Sequence, residues 1–121
     1  MRDIKFRYWD KEVCEMVAWE IILDDGFEKH LDDYLMQYTG LNDRDGVEIY
    51  EGDIVRFDAE DGMFGHDPVL GLIASVDWDN MDTGFFFNTD TDKYPYVKTY
   101  RGRNIEIIGN IYENPELLQK K

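Results

Sequence analysis

One stretch constrains the fold more than any other: LMQYTGLNDRDGVEIYEGDIV, residues 35–55. Its core is a polar turn, Asn42-Asp43-Arg44-Asp45-Gly46, in which Gly46 falls where a positive φ is needed. Leu35 to Thr39 leads in as a strand and Val47 to Tyr50 leads out. Glu51-Gly52-Asp53 then turns the chain again, and Ile54 to Phe57 reads as a third strand. Gly52 frees the backbone there, and the Asp53 carboxylate is placed to cap exposed amides of the turn. Val55 and Phe57 then drop into a core. Turn chemistry of this kind fixes strand register, so the apolar faces of three consecutive strands are expected to meet. A Gly-Asp-x-Val sequence is also common at the first long strand of small SH3-like barrels.

The flanking sequence is equally strand-like. Ile4, Phe6 and Tyr8 alternate with Lys5, Arg7 and Trp9, the two-residue period of a half-buried strand. Asp10-Lys11-Glu12 is a turn, and the run from Val13 to Val17 returns as a hairpin partner. Ala18 to Leu23 extends this hairpin or begins another strand. Asp24-Asp25-Gly26 breaks the pattern, and Phe27, Leu31, Tyr34 and Leu35 fall at helical spacing, which predicts a short helix over 26–34. Downstream, Leu72 to Trp78, the run from Phe85 to Thr89, and Ile105 to Ile108 read as further strands. Asn114 followed by Pro115 and Glu116 predicts a short capped helix at the C-terminal end. The expected class is therefore mostly β (a β-rich α+β protein). An N-terminal β-hairpin joins a small, strongly bent, antiparallel SH3-like barrel, with one short helix near 26–34 and another at the C-terminus. Residues 1–34 and 35–121 are expected to form the two pieces of one compact unit.

Charge narrows the partners. Twenty-seven acids against 13 bases give a formal net charge of -14. Spread over the expected surface, that is about one net negative charge per 500 Å². Such a surface repels phosphate backbones and anionic lipids, the repulsion acting within a Debye length of about 8 Å. Cys14 is the single cysteine, so no intrachain disulfide can form, which suits a reducing cytoplasm. The opening MRDIKFRYWDK lacks the apolar stretch of a signal peptide. VLGLIASV, from Val69, is too short to span a bilayer.

Three blocks taken in order, MRDIKFRYWD, LMQYTGLNDRDGVEIYEGDIV and IEIIGNIYENPELL, resemble the YopX-like family of phage and prophage proteins. The resemblance covers both ends and the centre, not 17–34 or 58–104. It implies a mostly β protein encoded by phages of Gram-positive bacteria, with a barrel-like C-terminal half and self-association. It brings no established activity and no catalytic residues.

The residues themselves offer few sites for chemistry. Counted from Asp43 as a calcium loop, Gly46 falls fourth and Ile54 twelfth, so the pattern fails and a solvated turn is expected. The loop starting at Asn88 fails in the same way. Asp58, Glu60, Asp61, His66 and Asp67 gather hard ligands in one loop, but nothing in their spacing forces convergence on a metal. His30, His66 and Ser75 have no catalytic partner in sequence, Cys14 sits mid-strand, and no phosphate-binding glycine loop exists. No catalytic residue, cofactor or metal is expected.

One segment runs against the global charge. KYPYVKTYRGR places Lys93, Lys98, Arg101 and Arg103 among Tyr94, Tyr96 and Tyr100 without an acid. Cations interleaved with aromatics can bind single-stranded nucleic acid, but a strongly acidic chain disfavours that use. The alternative is that the tyrosines pack on the barrel while the bases neutralise its own acidic loops. With Trp9 and Trp19, these residues form the expected interaction surface. The expected function is a non-catalytic, self-associating binding module with a host or phage protein partner. Two alternatives are a nucleic-acid-binding barrel using 93–103 and an acidic decoy for a basic host factor.

Overall fold

The computed structural model describes residues 4–25, 34–59, 69–89 and 95–118. The described residues form two antiparallel sheets, and the chain is mostly β. The first contains β1 (Phe6–Asp10), β2 (Glu15–Val17), β3 (Leu35–Asn42) and β4 (Glu48–Tyr50), in the order β2-β1-β3-β4. The second is a strongly curled half-barrel. It holds β5 (Asp53–Ala59), β6 (Val69–Asp79), β7 (Gly84–Thr89), β8 (Tyr96–Lys98) and β9 (Gly102–Asn110), in the order β8-β7-β6-β5-β9. The N-terminal hairpin, the double turn and the bent sheet are all present. The residues on either side of position 34 share the first sheet, β1 and β2 pairing beside β3 and β4.

The double turn works as its chemistry predicts, with one difference. Gly46 and Gly52 have φ values of 84° and 87°. Asp53 accepts the Tyr50 amide at 2.7 Å, closing the second turn. That turn does not pair β4 with β5, however. The Gly52 amide donates to the Val76 carbonyl and its carbonyl accepts the Ile111 amide, so the turn hands the chain from one sheet to the other. Ile49 of β4 nevertheless enters the same core as Val55 and Phe57, together with Leu72, Val76 and Phe87. β4 and β5 thus meet through side chains rather than through a common ladder, while β3 is joined to β4 by pairing and supplies no residue to that core cluster.

The first turn is more than a solvated bend. Asp43 is buried, its Oδ1 accepting the Asp45 and Val47 amides and its Oδ2 the Ile107 amide. Burial opposes ionisation, but the three N–H donors more than offset it and hold the carboxyl below the usual aspartate range. The Arg44 amide donates to the Ile105 carbonyl at 2.8 Å. The turn therefore lies along the open side of β9, the nine-residue edge strand. The other edge strands, β2, β4 and β8, are three residues each.

One strand expectation is corrected, and the C-terminal helix takes a tighter form than expected. Ala18 to Leu23 is not a strand: Trp19–Asp25 is an α-helix, α1, begun by the Ala18 carbonyl accepting the Ile21 and Ile22 amides. The spacing of Trp19 and Ile22 puts a half-buried ring and a fully buried side chain one turn apart. The helix expected over 26–34 falls almost wholly outside the described residues. At the C-terminal end a 3-10 turn, Pro115–Leu118, stands where a capped helix is expected. The Asn114 side chain does not cap it, because its Oδ1 accepts the Asn110 amide behind it. Among the described residues no helix is long and apolar enough to cross a membrane.

Candidate interaction surface

The β6–β7 hairpin is longer than the core it covers. Leu72, Ala74 and Val76 of β6 point inward and are buried, and Trp78 continues on that face past the end of the core. Trp78 is 42% exposed and meets Phe85, its cross-strand partner, edge to face at 5.0 Å between centroids. Its indole N–H donates to Asn80 Oδ1, which fixes the ring over the turn. Met81, at the tip, is 92% exposed.

On the opposite face of the sheet, β7 and β8 carry a second aromatic pair. Phe86 and Tyr96 stack with centroids 4.4 Å apart and planes within 18°. The Tyr96 hydroxyl lies 2.9 Å from Asp79 and 3.0 Å from Asp82, donating its single proton to one carboxylate at a time. Desolvation, followed by these two carboxylates, pushes the phenol well above its ordinary value. Lys98 donates to Asp82 at 2.7 Å; that bond, with Tyr96 second, holds the Asp82 carboxyl low and raises the Lys98 ammonium. Tyr100, in the 3-10 turn Thr99–Arg101, is 64% exposed with the Arg101 guanidinium 5.5 Å from its ring centre. Arg103 donates to the Tyr100 and Gly102 carbonyls, tying that turn to the start of β9.

Tyr96, Lys98, Tyr100 and Arg101 thus converge, and together they line a shallow cleft of about 230 Å³. Trp9 does not join them. It is buried in β1 and stacks on Tyr112 at 5.3 Å with planes within 7°, so its ring is not exposed. Trp19 stands apart on α1, tilted against Phe6. Lys93 and Tyr94 lie outside the described residues, as do Glu60, Asp61, His66, Asp67 and His30. The sequence reading missed Trp78, Met81, Phe85 and Phe86. Alternation assigns Trp78 to the core; the one available signal was the crowding of large side chains around the Met81–Gly84 turn.

Charge is paired here: Lys98 bonds Asp82 with Asp79 close by, and the Arg101 guanidinium lies over the Tyr100 ring. A phosphate approaching Lys98 meets the carboxylate that already holds it. The patch is thus a set of rings framed by paired polar and charged groups.

A family model described as YopX protein matches residues 22–119. The crystal structure of protein EF1440 from Enterococcus faecalis is similar in fold, with a TM-score of 0.60 and 25% sequence identity. The alignment covers 98% of this chain and all of that one. Among curated proteins, none matches.

Proposed function

The chain belongs to the YopX family, and from that premise we propose that it is a non-catalytic module that binds protein, further copies of itself included. The docking surface in this reading is the aromatic end of the β6–β7 hairpin with β8 beside it. The observation that carries it is the placement of Trp78 and Met81 in solvent beyond the core, with Phe85, the edge-to-face partner of Trp78, lining a cleft together with Tyr96 and Tyr100. Exposed aromatic and Met side chains inside a rim of paired charge are what protein interfaces enrich. Strand addition is less well supported, because three edges are short and the long one carries the Asp43–Val47 turn. Nucleic acid is a weaker reading, since Asp79 and Asp82 stand where phosphates would need to lie. As a phage or prophage product, the protein would meet its partner in the host cytoplasm.

Light scattering on the purified chain tests this reading. A mass above the 14.4 kDa of one copy is expected, and Trp78→Ala with Met81→Asp should return it toward that value. A strict monomer at high concentration would remove self-association. A double variant that associates like the wild type would remove this surface.

A further inference from the structure

A second cleft, away from the hairpin end, has features of another kind. It lies between α1 and the first sheet and encloses about 390 Å³. Trp19, Met16 and Tyr50 give it apolar, polarizable walls, Arg7 closes one side, and Glu20 and Glu48 stand at its rim. This volume is at the small end of the ligand pockets of folded proteins, roughly 300–1,000 Å³. It suits a molecule of one or two rings.

Arg7 defines what such a molecule must carry. The side chain is 14% exposed, and one of its terminal nitrogens pairs with Asp53 Oδ1 at 2.8 Å. The same nitrogen reaches the Glu51 carbonyl at 3.4 Å. Its Nε–H is buried with no hydrogen-bond partner, the one such side-chain atom among the described residues. A buried donor left unmade costs about 1–3 kcal/mol, so the Arg7 guanidinium at the cleft wall keeps hydrogen-bonding capacity that the free protein leaves unused.

Charge selects the acceptor. Asp53 already compensates the guanidinium, and Glu20 with Glu48 repels an anion at the rim, even though Lys5 pairs with Glu48. A cation is drawn by the same rim carboxylates but meets the Arg7 guanidinium inside, which repels it and already occupies the face of Tyr50 at 4.9 Å from the ring centre. We infer that the cleft between α1 and the first sheet binds a small, uncharged, planar molecule presenting a carbonyl oxygen to Arg7 and its ring to Trp19.

The test is nitrogen-15 NMR on the full chain with three probes of matched size: benzamide, benzoate and benzylamine. Benzamide should shift the Arg7 Nε–H and Trp19 indole resonances saturably at about 10 mM, with the two charged probes about tenfold weaker. Trp19→Ala should weaken benzamide about tenfold, whereas Trp78→Ala, on the other surface, should not change it. Should Trp19→Ala fail to fold, Ala18→Phe fills the cleft from an exposed position and should abolish the shifts. No shift with benzamide, equal shifts from all three probes, or shifts that survive these cleft variants would overturn the inference.

Discussion

Asp43 shows how much a single side chain can hold. It takes three backbone amides, two from its own turn and one from β9, while largely shielded from water. Asp43→Ala should cost about 3 kcal/mol in urea unfolding at pH 7, given about 1.5–3 kcal/mol for a hydrogen bond to a charged group and incomplete additivity. The pH dependence follows from the direction of its shift. A carboxyl held below its ordinary value of 3.8 contributes stability above that pH and loses it as pH falls through the folded value. The gap between wild type and Asp43→Ala should therefore close below about pH 4. The two turn glycines separate a conformational effect from a steric one. Both need a positive φ, but a Cβ at Gly46 meets nothing within 4 Å, whereas one at Gly52 lies 2.9 Å from Met36 Sδ. Gly46→Ala should cost about 1–2 kcal/mol in thermal unfolding and Gly52→Ala more, because Met36 must move as well.

Elements whose pattern is local were legible in the sequence. The β1–β2 hairpin, the Asn42–Gly46 turn and the β6–β7 hairpin follow from alternation and turn residues, and the structure has them within a few positions. Elements decided by distant partners were not. Trp19-Glu20-Ile21-Ile22-Leu23 reads equally as a strand; what makes it helical is the burial of Ile22 and the packing of Trp19 on Phe6. β8 was read as a charged aromatic segment, because a three-residue strand has no period to detect and Val97 alone reaches the core. The same limit applies to the candidate surface. Four of its residues were named from KYPYVKTYRGR, but Trp78 is exposed only because β6 outruns the core, which no window of sequence states. β9 supplies a sharper test of packing at this scale. A Cβ on Gly102 would fall 2.8 Å from the Phe87 ring and 3.3 Å from that of Phe57, two rings already 4.5 Å apart between centroids. Gly102→Ala should therefore lower stability by about 1–3 kcal/mol through overpacking alone, readable as a lower urea midpoint with an unchanged slope.

For the molecule as a whole, charge sets the response to solvent. A net charge of -14 works against compactness and against association, so added salt should raise both the melting temperature and the mass seen by light scattering. Acid acts in two stages. Burial raises the Asp53 and Glu51 carboxyls, so the folded state takes up protons before the unfolded one and gains stability as pH falls from neutral toward their ordinary values of 3.8 and 4.5. Below about pH 4 the low-lying carboxyls of Asp43, Asp58 and Asp82 protonate and that gain reverses. Melting curves from pH 7 to pH 3 should thus pass through a maximum on the acid side of neutral, and a monotonic fall from pH 7 would contradict it. The turn lying along β9 has a consequence of another sort. It acts as a stopper on the longest edge among the described strands, held by the Arg44 amide, the Arg44–Glu106 ion pair and one carboxylate oxygen of Asp43. A chain whose stopper works loose presents an unpaired strand edge to its neighbours, with the net negative charge as the remaining guard against pairing.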